Sequence, residues 1–248
     1  MYTTGTGDDQ IAEWDLTTPW DPSTKVLNDI LDISSKHTHC ASIVFAADSS
    51  NAATYGKILM THDRVTDKVY RYNLTTAWDI TTASYSQEYS FEYGENNPYG
   101  MKWKSDGTRF WHCANGQFLY QWDVATAWDL TSTISSSGSA RTIGTTLMGL
   151  DWNSDGTQLI TVIYGNEEAK VYSVATAYDS QSTLTLLGTI DLDDSRIGIT
   201  DVRDVFASND SNNPYVYFFG RDAGKNIVRY NMHSITDFKS IDLGFFDY

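Results

Sequence analysis

The chain has 248 residues, of which 32 are acidic and 17 are Lys or Arg, for a formal net charge of −15. That balance argues against nucleic acid and anionic membranes as partners, since both are held through Lys and Arg. No apolar run approaches the ~18 residues of a bilayer span, so no membrane insertion is expected.

Cys40 and Cys113 are too few for a disulfide framework and read as reduced thiols. The opening MYTTGTGDDQ lacks the basic and apolar regions of a secretory leader. Synthesis in a cytoplasm, without a signal peptide, is the expectation.

Taken from the N-terminus, one segment keeps returning. WDLTTPWDPST begins at Trp14, YNLTTAWDITT at Tyr72, WDVATAWDLTS at Trp122 and YSVATAYDSQS at Tyr172; a worn copy, YNMHSITDFKS, begins at Tyr230. The anchors lie 58, 50, 50 and 58 residues apart. A second element precedes them in the same phase: GMKWKSDGTRF from Gly100 and GLDWNSDGTQL from Gly149, with looser versions from Ser42 and Val202. Two ordered elements in one phase along a whole chain define a repeat.

Each unit reads as four short strands. In the third copy these are Met101 to Trp103, ending in a Ser-Asp-Gly turn signal, then Arg109 to Cys113, Phe118 to Val124, and Thr131 to Ser136. Phe118, Tyr120 and Trp122 alternate with Leu119, Gln121 and Asp123, the period of two that gives a sheet different faces. The corresponding fourth strands are predicted at Tyr85 to Phe91 and Thr183 to Ile190. Four strands in a unit of ~40–50 residues is the pattern of a β-propeller blade.

The expected fold is therefore all-β: a five-bladed β-propeller of four antiparallel strands per blade, forming one domain over 1–248. Its boundaries are 1–36 plus 244–248 for blade 1, 40–93 for blade 2, 98–143 for blade 3, 147–195 for blade 4 and 200–243 for blade 5. The N-terminal segment aligns with a second strand, and GFFDY puts Phe246 where Trp103 and Trp152 stand. One blade is thus predicted to take strands from both termini and close the ring.

Between third and fourth strands stand Trp20, Trp78, Trp128 and Tyr178, with Thr236 in the last copy; each precedes an aspartate, Asp21, Asp79, Asp129, Asp179 and Asp237. Two accounts compete. In one, the aspartate accepts N–H bonds from the turn it starts and the ring covers a blade seam. In the other, Trp20/Asp21, Trp78/Asp79, Trp128/Asp129 and Tyr178/Asp179 furnish repeated glycan pockets. Turn chemistry explains every constant position, so the structural account is preferred.

Other candidates are thinner. His37, His39 and Cys40 offer three soft-metal donors without a fourth. Asp191, Asp193 and Asp194 could meet a hard cation or be a solvated loop. Asp151 and Asp204 lie in or beside first strands but one register apart and without a neighbouring glutamate, short of a glycosidase pair. No catalytic residue, metal or cofactor is expected.

Units of the form Gly-x-x-aromatic-x-x-Asp-Gly-Thr followed by Tyr-x-Tyr-x-Leu-Ser/Thr-Thr-x-Trp-Asp resemble those of a β-propeller repeat family of bacteriophages, especially marine and cyanobacterial ones. The resemblance is carried by Gly100 to Thr108, Gly149 to Thr157, Tyr70 to Ser84 and Tyr120 to Ser132. It implies a noncatalytic virion protein, in a head decoration, tail or fibre, whose partners are other virion proteins or a host-surface glycan.

Overall fold

A computed structural model describes residues 1–4, 7, 9–91, 98–114, 116–193, 198–208, 210–221, 227–232 and 241–242. They form five antiparallel sheets. The first is β1 (Tyr2–Thr4), β2 (Gln10–Leu16) and β3 (Lys25–Asp32) in that order. The second is β4 (Cys40–Phe45), β5 (Ile58–Asp63), β6 (Lys68–Leu74) and β7 (Ala83–Ser90).

The third runs β8 (Pro98–Trp103), β9 (Arg109–Ala114), β10 (Phe118–Val124) and β11 (Ile134–Ser136), with β12 (Arg141–Thr142) also on β10. The fourth is β13 (Leu147–Trp152), β14 (Gln158–Ile163), β15 (Glu168–Val174) and β16 (Leu184–Asp191). The fifth is β17 (Val202–Ala207), β18 (Tyr215–Gly220), β19 (Ile227–Met232) and β20 (Ile241–Asp242). The fold is an all-β, five-bladed β-propeller.

One strand departs from expectation. The fourth strand of blade 3, predicted from Thr131, starts at Ile134 because Thr131 and Ser132 belong to the preceding turn. It then breaks at residues 137–140, where Ser-Gly-Ser-Ala supplies no β-branched or aromatic side chain, and resumes as β12. The predicted closing strand at 244–248 with Phe246, and the corner at Thr236 and Asp237, lie outside the described residues.

The chain divides into two compact units, one of residues 1–111 and 122–137, the other of residues 112–121 and 138–248; the third sheet supplies residues to both. In the first unit, Ile11, Ile33, Cys40, Leu59, Tyr70, Tyr72, Leu74 and Ile80 form a buried cluster. In the second, Leu147, Leu150, Leu159, Ile160, Val162, Val205, Val216 and Phe218 are buried. In β6 the buried Tyr70, Tyr72 and Leu74 share a face, being two apart, whereas β5 and β13 are buried at every position and so on both faces.

A bulge recurs in the fourth strands, with Asn28, Ser86 and Leu187 each left without a partner in the ladder of β3, β7 and β16. An extra residue there bends the outermost strand and increases its twist.

Candidate functional site

The repeated Trp-Asp segment builds one geometry four times. Asp21 Oδ1 accepts Ser23 N–H at 2.9 Å and Ser23 Oγ–H at 2.6 Å. Asp79 takes Thr81 N–H at 3.0 Å and Thr81 Oγ1–H at 2.5 Å, and Asp129 takes Thr131 N–H at 2.9 Å and Thr131 Oγ1–H at 2.7 Å. Asp179 accepts Gln181 N–H at 3.0 Å. The next hydroxyl, on Thr24, Thr82, Ser132 or Ser182, donates back to the aspartate carbonyl at 2.7–2.8 Å. It also accepts an N–H from Thr18, Thr76, Thr126 or Thr176 at 3.0–3.2 Å. In blades 1 and 2 this winds Pro22–Thr24 and Ile80–Thr82 into single 3₁₀ turns capped by Asp21 and Asp79.

The aromatic before each aspartate is held in the left-handed region, with φ of 65° at Trp20, 68° at Trp78, 64° at Trp128 and 55° at Tyr178. A bulky residue adopts that conformation only where its surroundings compel it. Here the compulsion is visible: Trp78, Trp128 and Tyr178 donate N–H to the carbonyls of Gly56, Gly107 and Gly156 at 2.8–2.9 Å. Their rings lie over those glycines so closely that a Cβ there would fall 2.3–2.4 Å from the ring. The glycine of the first turn and the aromatic of the last are two halves of one contact within a blade. The sequence places the ring at the seam to the neighbouring blade; in the structure the Trp78, Trp128 and Tyr178 rings lie against the glycine turn of their own blade, and the Trp78 carbonyl also accepts the Tyr2 hydroxyl of blade 1.

Polar side chains also bridge the seam, beside aromatic contacts such as Tyr2–Phe45 and Tyr89–Trp122. Glu13, Arg71 and Gln121 each directly precede an aromatic anchor, Trp14, Tyr72 or Trp122. Each reaches the next corner. Glu13 Oε2 accepts Ile80 N–H at 3.3 Å, and Gln121 Oε1 accepts Ser180 N–H at 2.7 Å while its amide donates to Asp179 Oδ1 at 3.2 Å. Arg71 has no acceptor, so it donates to Trp128 C=O at 3.0 Å, and Gln87 accepts Leu130 N–H in its stead at 3.0 Å. These residues differ in type from blade to blade, so no constant position marks them in the sequence. Their common offset from the anchor was the available signal.

The four corners are not equally covered. Trp128 is 2% exposed and stacks on Trp103 with centroids 5.1 Å apart. Trp78 is half-buried between Phe45 at 5.2 Å and the exposed Tyr55 at 5.1 Å. Trp20 and Tyr178 are also half-buried.

The remaining candidates fall elsewhere. His37 is buried, its Nε2 2.8 Å from Thr61 Oγ1 and its Nδ1 3.5 Å from Asp63 Oδ2. Asp63 accepts N–H bonds from Thr38, His39, Val65 and Thr66 at 2.7–2.9 Å, plus the Thr66 hydroxyl at 2.9 Å. Burial pushes its carboxyl upward, but the contact with His37 and these backbone bonds outweigh burial and hold it well below the ordinary carboxylate range. Cys40 sits in the apolar cluster, where burial pushes its thiol up to about 12, apart from the environment in which a thiolate would ligate.

Asp151 is buried and accepts Trp152 N–H at 2.7 Å and Ala207 N–H at 2.8 Å, tying β13 to β17. Asp204 is half-buried, accepts Val205 N–H at 2.9 Å, and lies against Gly149, where a Cβ would meet its Oδ1 at 2.4 Å. Asp191 accepts Asp193 N–H at 3.2 Å; Asp194 lies outside the described residues.

No protein-family model matches the chain, and no curated protein matches it in sequence. Solved structures share the fold. A protein from Lactobacillus plantarum is 16% identical with a TM-score of 0.56, over 99% of this chain and 66% of its own. A provisionally assigned 6-phosphogluconolactonase from Bacteroides fragilis is 14% identical with a TM-score of 0.54, over 97% of this chain and 67% of its own. One from Bacteroides uniformis is 13% identical with a TM-score of 0.52, over 95% and 66%. The chain thus spans about two thirds of the structures it matches. Fold and corner together describe a five-bladed β-propeller whose described corners share one turn geometry.

Proposed function

We propose that the protein is a noncatalytic interaction module of a virus particle, a head decoration, tail or fibre component that contacts other virion proteins or the host surface. The virion assignment rests on the resemblance of the repeat at Gly100 to Thr108 and Tyr70 to Ser84. The noncatalytic reading rests on one observation: the repeated polar groups are engaged within the chain, each corner aspartate on its own turn and Asp151 on two backbone N–H groups. Quantitative mass spectrometry of purified particles tests this. The expected result is a fixed copy number per virion; absence from particles overturns it.

A second reading, binding of a host-surface glycan, is favoured at one corner. Trp78, with Phe45 and the exposed Tyr55, leaves aromatic surface beside Asp79 that the buried Trp128 does not. On this reading, glycan-array binding is lost in Trp78→Ala and kept in Asp129→Asn. Arrays that stay blank with the intact protein reject it.

A further inference from the structure

The outer strand of blade 1 is built to pair with itself. β3 is the last strand of its sheet, so among the described residues its outer backbone groups face no other strand. Which residues those are follows from the two ends of the ladder. Ile33 N–H bonds Asp9 C=O, and Thr24 C=O accepts Thr17 N–H, so residues 33 and 24 turn toward β2. Bonding alternates along an antiparallel pair. Counting inward from each end, with Asn28 as the extra residue between, Lys25, Leu27, Ile30 and Asp32 turn their N–H and C=O groups outward.

The same four share a face, because they stand opposite Leu16, Trp14, Ala12 and Gln10, alternate residues of β2. Leu27 is 47% exposed and Ile30 48% exposed, and Lys25 and Asp32 are exposed as well. The Ile80–Thr82 turn that packs near β3 is bonded to Glu13, on the opposite face, and leaves this one open. Asp32 uses Oδ1 to accept Ser34 N–H at 2.9 Å, and no described residue forms an ion pair with Lys25.

We propose that a second copy of this chain docks here, its β3 antiparallel to the first about a two-fold axis between Asn28 and Asp29. In that register each outward-facing residue meets an outward-facing partner. Lys25 stands opposite Asp32 of the second copy and Leu27 opposite Ile30, each pairing occurring twice as an isologous contact requires. An apolar ladder is thereby flanked by two opposite-charge pairs. The bulge makes this possible, since without the extra residue the outward positions would all be of one parity and this register could not bond.

The other complete fourth strands lack the pattern. Equivalent positions in β7 are Ala83, Tyr85, Glu88 and Ser90, and in β16 Leu184, Leu186, Thr189 and Asp191. Self-pairing would set Glu88 against Tyr85 in one and Leu184 against Asp191 in the other. Exposed edge strands are ordinarily guarded by charge; the charges of β3 complement themselves.

Sedimentation equilibrium at physiological ionic strength, where the −15 charge is screened over about 8 Å, tests the proposal. The expected result is a reversible monomer–dimer equilibrium, weakened at least tenfold by Lys25→Asp or by Asp32→Lys alone and restored within a few-fold by the two together. Both positions are exposed, and circular dichroism of each variant checks the fold. Amide hydrogen exchange of the unaltered protein gives a reading independent of the variants: Leu27 and Ile30 amides should gain protection with concentration. A monomer throughout the soluble range overturns the proposal. So does a dimer indifferent to the single exchanges, a double exchange that fails to restore it, or protection that does not depend on concentration.

Discussion

Blade 2 carries an aspartate at each end, and the two do the same work on different scales. Asp79, at the corner, organises one turn through Thr81 N–H and the Thr81 hydroxyl, and is half-buried. Asp63, at the end of β5, is buried and gathers backbone N–H groups from both sides, Thr38 and His39 before β4 and Val65 and Thr66 after β5. Asp79 has counterparts at Asp21, Asp129 and Asp179, whereas the His37–Thr61–Asp63 arrangement is a feature of blade 2. Recurrence therefore reports a shape that four blades share, and says little about how much energy one residue holds. The more consequential aspartate is the one that does not repeat.

The largest effect should come from Asp63→Ala. Its removal leaves four backbone donors without their acceptor in a place water reaches poorly, and strips His37 of its neighbour. A loss of about 3–5 kcal/mol is expected from orphaned donors and a broken buried contact. Urea denaturation measures it. A loss no greater than that of a corner aspartate would erase the distinction between the two ends.

The same end should make stability depend on pH. His62 is fully buried next to Asp63, and burial lowers its pKa from 6.5 to about 3, with Asp63 raising it and His37 lowering it further. Because the unfolded chain protonates near 6.5 and the folded chain does not, stability falls as pH drops from about 6.5 toward 3. Between pH 7 and 5 the loss from this histidine should be about 2 kcal/mol. Asp63 acts in a lower window: its depressed pKa contributes stability above about 3.8 that disappears only as pH falls below it. Denaturation midpoints of wild type and His62→Gln at pH 7 and 5 separate the two. An unchanged slope in His62→Gln would place the pH sensitivity elsewhere.

What could be read from the sequence follows the same division. Blade number, strand order and the capping role of Asp21, Asp79, Asp129 and Asp179 were legible because turn chemistry is local and the copies average out accidents. The partnership of the aromatic with the first-turn glycine was not. Its halves are 22 residues apart at Gly56 and Trp78, and blade 2 has Tyr55 where blades 3 and 4 have Asp106 and Asp155 of Asp-Gly. The surroundings of His37 are not local in sequence. Read beside His39 and Cys40 it suggests a metal, but its partners Thr61 and Asp63 come from a strand 24 residues on. Glu13, Arg71 and Gln121 were hidden by doing one job with three side chains.

The smallest effect completes the comparison. Asp79→Ala should lose about 1 kcal/mol, the ordinary value of a capping side chain, because Thr81 N–H is near solvent and water can replace the carboxylate. The turn itself should survive, since Thr82 Oγ1 still bridges Asp79 C=O and Thr76 N–H, Trp78 N–H still bonds Gly56 C=O, and Glu13 still holds Ile80 N–H. All four of these contacts involve backbone groups and none depends on the carboxylate. Asp79→Asn, which keeps an acceptor oxygen, should recover most of the loss. If Asp79→Ala instead unfolds the blade, as near-UV circular dichroism of the adjacent Trp78 would register, then the corner is a cooperative element in which the cap supports the left-handed tryptophan, and the strain at Trp78 is held by Asp79 and not by Gly56.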